Sequence, residues 1–180
     1  MSDKLDDMEV AALRRLLDRQ AIVECVINSC RGVDRGDEPV FRSAYHPDAV
    51  EDHGSYIGDF DGLVEFLRGA MAPFPGYQRY VSNFEVDIDG DEAHVESYYL
   101  ITLRQAVGTS LMVNGGRYLD RLERWDGRWG IVTRVVISEW GARWDGSGTP
   151  EDSGFVPARM DKEDLSYQRP LQVTRGNRSH

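Results

Sequence analysis

The chain is short of the features that most often announce a function. It has two cysteines in 180 residues, Cys25 and Cys30, both in one helical stretch. Helical spacing holds them on different faces, so a mutual disulfide is disfavoured and both read as small core hydrophobes. No apolar run approaches bilayer-spanning length. The opening MSDKLDDMEV has neither a basic n-region nor an apolar h-region, so no signal peptide is expected and a cytoplasmic location fits. There is no phosphate-cradling glycine loop, dinucleotide fingerprint, nucleophile elbow or Cys-x-x-Cys pair. Internal repeats and low-complexity tracts are missing too. Positive charge is the minority sign: 21 Lys and Arg stand against 31 Asp and Glu, for a net charge of -10. Such a surface repels phosphate backbones and anionic lipid headgroups, so neither nucleic acid nor membrane is an expected partner. What remains is acid–base chemistry by isolated side chains without a cofactor, or plain binding.

What is present is periodic sequence sufficient for one buried core. From Met8 to about Asp34, Leu13, Leu16, Leu17, Val23, Val26, Ile27 and Cys30 recur at helical spacing. Val23, Ile27, Cys30 and Asp34 follow in steps of four, three and four. Asp34 thus continues an apolar stripe, while Arg31 and Arg35 lie off it. Asp34 is expected to point inward. A short helix is predicted over Pro39–Tyr45, with proline suited to its first turn. DAVEDHGSYIG reads as a strand, and DFDGLVEFLRGAMAPF as a third helix stopped by Pro73 and Pro75. Four strands follow as two hairpins turning at Asp89–Gly90 and Asp126–Gly127. The order α-α-β-α-β-β-β-β predicts an α+β domain over residues 1–140, with antiparallel hairpins and helices on one face. Residues 141–180, rich in Gly, Ser, Pro and alternating charge, are expected to form a tail that is flexible or packs on a neighbouring subunit.

Several side chains could carry chemistry. YHPDAVEDHG gathers His46, Asp48, Asp52 and His53. Strand alternation sends Asp52 and His53 to opposite faces and leaves His46 in the preceding turn, so no metal site is expected. The same alternation pairs Glu51 with His53, either in a pocket or on a solvated strand face. Arg134 lies between Val132 and Val136 in IVTRVVI, apolar on both faces, which marks a central strand. A guanidinium there needs Asp34, Glu51 or an anionic ligand, because a buried unpaired charge is strongly unfavourable. Tyr99 and Tyr118 fall on strand faces that could line a cavity, although aromatics at such positions most often pack a core.

The segments LDRQAIVECVINSCRGVDRGD, SAYHPDAVEDHGSYIG, YVSNFEVDIDGDEAHVESYYL and GGRYLDRLERWDGRWGIVTRVVISEW resemble the SnoaL-like group of the nuclear transport factor 2-like superfamily. The resemblance implies a cone-shaped α+β barrel, a strongly curved mixed sheet wrapped around N-terminal helices with a pocket at its open end. It also implies a homo-oligomer, trimer or dimer. Relatives of this kind include dehydratases, dehydrochlorinases, ketosteroid isomerases, polyketide cyclases, formaldehyde-releasing lyases of lignin-derived diarylpropanes, and non-enzymatic binding proteins. In the dehydratases and dehydrochlorinases an aspartate near the end of the first helix pairs with a histidine opening the first long strand. Asp34 falls on the aspartate position, but Arg79 stands at the histidine position. Ser29 occupies the place of a tyrosine in the bile acid enzymes, and Arg134 that of a leaving-group arginine.

The resemblance thus carries a broken dyad. Arginine cannot take up a substrate proton at ordinary pH, but it can stabilise a phenolate, enolate or alkoxide. Base duty would fall to Asp34 or to His53. The expected function is a cofactor-independent lyase, of dehydratase or formaldehyde-releasing type, acting on a small aromatic or polycyclic compound. Its catalytic residues would be Asp34, His53 and Arg79, with Glu51, Tyr99, Tyr118 and Arg134 contacting substrate. A ketosteroid-type isomerase using Asp34 and a non-catalytic binding or assembly subunit are the alternatives.

Overall fold

The first helix, α1 (Asp7–Asp34), starts where Asp6 and Glu9 cap each other's backbone amides, and Gly36, at φ +58°, turns the chain beyond its end. The computed structural model describes residues 6–145, 156 and 158–172. The buried line of α1 is Ile22, Val26, Cys30 and Asp34, at successive steps of four. The expected stripe is therefore displaced by one residue at its start, with Val23 half-buried and Ile27 exposed. Leu13, Leu16 and Leu17 are exposed as well. Along that first half the sheet is reached instead by Arg15 and Arg19, which donate to the carbonyls of Ile88 and Phe84.

The chain continues through α2 (Glu38–Ser43), β1 (Tyr45–Asp52), β2 (Ile57–Asp59), α3 (Phe60–Met71), β3 (Gly76–Asp89), β4 (Glu92–Arg104), β5 (Ser110–Trp125) and β6 (Arg128–Asp145). Two expectations are corrected here. The helix predicted to reach Tyr45 ends at Ser43, and Tyr45 opens β1 with its ring in the core. The single strand predicted from DAVEDHGSYIG is a hairpin, closed where the His53 amide donates to the Tyr56 carbonyl. Among the described residues no helix is long and apolar enough to cross a membrane.

The strands form one sheet in the order β2-β1-β6-β5-β4-β3, antiparallel except for the parallel β1–β6 pair. Asp126 and Gly127 both have positive φ, the mirror-image turn whose twist matches that of the strands it joins. Register shifts at Ser82/Glu85, Gly115/Gly116 and Arg121/Leu122 insert bulges that bend the long strands. The curved sheet closes around α1, α2 and α3 as the expected α+β cone. The main core joins Ile22 and Val26 of α1 to Phe41, Phe60, Leu63 and Leu122. A smaller cluster of Cys30, Tyr99, Ile101, Leu103 and Tyr118 continues it.

The strand β6 runs to Asp145, past the expected domain boundary at residue 140. Of the predicted tail, residues within 160–167 contact the end of α1 and the turn after it: Arg31 donates to Ser166, and Tyr167 to Asp37. Residues 146–155, 157 and 173–180 of the tail lie outside the described residues.

Candidate active site

Two buried ion pairs stand on the inner face of the cone. In the first, Arg134 of β6 faces Asp120 of β5 directly across the ladder. Its Nε donates to Asp120 Oδ1 at 2.6 Å and its Nη2 to Oδ2 at 2.8 Å. Nη1 donates to Ser29 Oγ at 2.8 Å and to the Tyr45 hydroxyl at 3.2 Å. Every guanidinium nitrogen is thus engaged, and the Arg134 group also lies 4.4 Å from the centre of the Tyr118 ring. The partner anticipated for Arg134 was Asp34 or Glu51, and it is neither. Asp120, Tyr45 and Ser29 hold it.

In the second pair, Arg79 of β3 donates to both oxygens of Asp34, from its backbone N at 3.1 Å and from Nη1 at 3.0 Å. The Arg79 side chain is only 8% exposed, yet its Nε and Nη2 have no partner among the described residues. Burial pushes the Asp34 carboxyl above its ordinary range, against the opposing pull of Arg79. The Asp34 position sits behind the guanidinium it holds.

Across from Arg79, the Tyr45 hydroxyl donates to Glu51 Oε2 at 2.6 Å, and His53 Nδ1 lies 2.6 Å from Glu51 Oε1. His53 follows the last residue of β1, and its ring turns back toward Glu51 while packing edge-on against Phe66 of α3. Burial alone would raise Glu51, but the His53 hydrogen bond and the Arg134 charge outweigh it and leave this carboxyl below its ordinary range. An ionised Glu51 makes Nδ1 the proton-bearing nitrogen of neutral His53, so Nε2 carries the free lone pair.

Ser29, Tyr45, Glu51, His53, Arg79, Tyr118 and Arg134 surround an inner chamber of about 20 Å³. That is room for one water or one small polar group, which needs on the order of 10–15 Å³. Val33, Phe41 and Leu67 form its apolar side and also belong to the wall of a second, outer chamber of about 330 Å³. Asp34 lines neither chamber, and neither does Tyr99, which stacks on Tyr118 at 4.7 Å. His46 packs against Trp125 with ring centres 4.3 Å apart and accepts from the Asp48 amide. Among the described residues no three His, Cys, Asp or Glu side chains are gathered as metal ligands.

The arrangement sets a charged, rigidly held donor opposite an oriented imidazole across a space for one polar group. Of the residues singled out from the sequence, Glu51, His53, Arg79, Tyr118 and Arg134 line the inner chamber and Asp34 and Tyr99 do not, while Tyr45 and Asp120 were not singled out. Tyr45 was hidden by its assignment to the end of a helix, and Asp120 by a bulge that no residue pattern announces.

Residues 14–135 match the family model of the SnoaL-like domain. No curated protein matches the chain in sequence. Among solved structures, a hexachlorocyclohexane dehydrochlorinase (LinA, type 2) superposes with a TM-score of 0.71 at 19% identity, over 79% of this chain and 99% of that one. A scytalone dehydratase-like protein of Novosphingobium aromaticivorans gives a TM-score of 0.66 at 19% identity, over 76% and 97% of the two chains. A Nostoc punctiforme protein of unknown function with a cystatin-like fold gives 0.59 at 19% identity, over 68% and 92%. At such identities the likeness carries the fold alone. The family match covers most of the cone and both ion pairs: the chain belongs to the SnoaL-like domain family.

Proposed function

We propose that this chain is a cofactor-independent lyase acting on a small aromatic or polycyclic compound, with His53 as its base and Arg79 as its oxyanion-stabilising group. The observation that carries the reading is that each of these lines the inner chamber and is held by a carboxylate, His53 by Glu51 and Arg79 by Asp34. Glu51 fixes the tautomer of His53, as the carboxylate of a hydrolase triad fixes its histidine. Asp34 fixes Arg79, the two unused nitrogens of which are the donors available to developing negative charge. Asp34 is then a positioning residue. Both its oxygens are occupied by Arg79, which weighs against a ketosteroid-type isomerase using it as the base.

For a dehydratase, His53 Nε2 takes a proton from carbon. The freed electron pair forms the new double bond, and the β-hydroxyl leaves with that proton as water. For a formaldehyde-releasing lyase, His53 Nε2 takes the proton of a hydroxymethyl group. The carbon–carbon bond breaks to release formaldehyde, its electron pair forms a double bond to the neighbouring carbon, and the hydroxyl on that carbon leaves with the proton as water. Arg79 stabilises the negative charge that develops on substrate oxygen in either case. The similarity in fold to a dehydrochlorinase and a scytalone dehydratase-like protein supports elimination chemistry over other uses of the cone. A binding protein without turnover is favoured by one observation, the small volume of the inner chamber.

The test is a screen of phenolic β-hydroxy compounds and diarylpropanes, with loss of water or formaldehyde followed by mass spectrometry. A substrate so found should lose about 10²–10⁴-fold in turnover on His53→Ala, the range of a positioned general base. Near wild-type turnover by His53→Ala would remove His53 from the mechanism.

A further inference from the structure

The inner chamber admits one small polar group, so the rest of any ligand has to lie beyond it. The outer chamber adjoins it, with Val33, Phe41 and Leu67 in the walls of both, and Val64, Met71 and Phe74 extend its apolar wall. Its volume of about 330 Å³ falls within the range of small-molecule sites, on the order of 300–1,000 Å³. One residue of its wall comes from far along the chain: Met160.

Met160 is placed there by a latch. Asp37 lies between α1 and α2, and its side chain has no exposure. Its Oδ1 accepts from the Val40 amide, capping α2, while its Oδ2 accepts from the Tyr167 hydroxyl at 2.7 Å and from Lys162 Nζ. Lys162 also lies 4.6 Å over the Tyr167 ring, and Arg31 lies 5.2 Å from the same ring. Against burial, these hydrogen bonds hold the Asp37 carboxyl below its ordinary range. The fit is close at Gly36: a Cβ there would stand 2.9 Å from the Met160 carbonyl oxygen. The same aspartate thus caps the helix bearing Phe41 and anchors the segment bearing Met160, two walls of one chamber.

We propose that the outer chamber is the subsite for a planar, apolar one- or two-ring body whose hydroxyl or carboxylate head enters the inner chamber. Met160, latched through Asp37, sets how large a body it admits. A flexible thioether against an aromatic face tolerates different ring shapes, which suits a wall that has to grade size rather than read polar groups. The proposal rests on the functional reading only for the place of the head group, and it concerns binding rather than turnover.

The test uses the full chain and two probes, phenol and 4-phenylphenol, with affinities measured by calorimetry. Wild-type protein should bind the two-ring probe more tightly than the one-ring probe. Met160→Trp should fill the chamber and weaken 4-phenylphenol by about 10-fold or more while shifting phenol far less, the scale on which apolar pockets discriminate size. Met160→Ala should not weaken phenol. Asp37→Asn should weaken 4-phenylphenol and speed hydrogen exchange of the amides around residues 158–167. Unaltered 4-phenylphenol affinity in Met160→Trp, an equal loss for both probes, or no wild-type binding of either probe would overturn the proposal. Binding that follows this pattern with no product from either phenolic class would defeat the lyase reading and leave the subsite standing.

Discussion

Arg134 and Arg79 are both buried, both paired with an aspartate, and held in opposite ways. Arg134 meets its carboxylate side-on from the neighbouring strand, and its remaining nitrogen is taken by Ser29 and Tyr45. Four of its five N–H donors are spent within the protein, and every nitrogen is engaged. Arg79 meets Asp34 through one terminal nitrogen and its own backbone amide, leaving Nε and Nη2 without protein partners among the described residues. The difference separates structural arginine from working arginine: burial and an acidic partner are common to both, and the unspent donors distinguish them. Arg134 still shapes the chemistry indirectly, since it holds Tyr45 and helps keep Glu51 ionised behind His53.

The two pairs should therefore fail differently. The largest effect is expected on the Arg134 side. Asp120→Ala strands a guanidinium whose side chain is 4% exposed, and breaking one partner of such a pair costs about 3–5 kcal/mol. Chemical denaturation should show that loss of stability, whatever the substrate. Folding within about 1 kcal/mol of wild type would mean the pair is no keystone, since that is the scale of exposed ion pairs.

The next effect falls on turnover instead. Arg79→Ala removes the donor while leaving the Arg134 network intact, and loss of one oxyanion donor typically lowers turnover by about 10²–10³-fold. Arg79→Lys keeps the charge without the planar fork and should be damaged less. The comparison would collapse if Arg79→Ala unfolded the protein as thoroughly as Asp120→Ala, for Arg79 would then be structural too.

The sequence carried one of these pairs better than the other. Asp34 is legible because Ile22, Val26, Cys30 and Asp34 recur every fourth residue, and a helix turns such a row onto one face. The apolar row through Val23 and Ile27 starts one residue off the buried one but ends on the same Cys30 and Asp34. The burial of Arg134 is legible from IVTRVVI, whereas its partner is not. The Asp126–Gly127 turn pairs Trp125 with Arg128, and unbroken counting from there sets Leu119 opposite Arg134. The bulge between Arg121 and Leu122 advances the register by one residue and brings in Asp120. The latch at Asp37 was equally hidden, because the contacts that assemble it lie some 125–130 residues away along the chain. Local composition describes a polar tail and is silent about a long-range anchor.

The smallest effect concerns pH, and it sets the two orienting carboxylates against each other. Burial raises Asp34 above its ordinary range, so the folded state binds its proton more readily than the unfolded chain does. Its contribution is therefore present at low pH and is lost as pH rises through the raised value. Glu51 is lowered, because His53 and Arg134 outweigh its burial. Its contribution is present above the ordinary glutamate range and is lost as pH falls through the depressed value. Urea midpoints measured from acid to neutral pH should show the two slopes by their removal. Asp34→Asn should abolish a fall in stability with rising pH, and its amide oxygen can still accept from Arg79, so the neutral-pH loss should stay modest. Glu51→Gln should abolish a rise with pH and lose more at neutral pH, since a carboxylate that the fold holds ionised has been neutralised. If both variants flatten the profile in the same direction, Asp34 is as fully stabilised by Arg79 as Glu51 is by its neighbours. Arg79 would then be neutralised by its partner much as Arg134 is, with less positive charge to offer a ligand than its unused nitrogens imply.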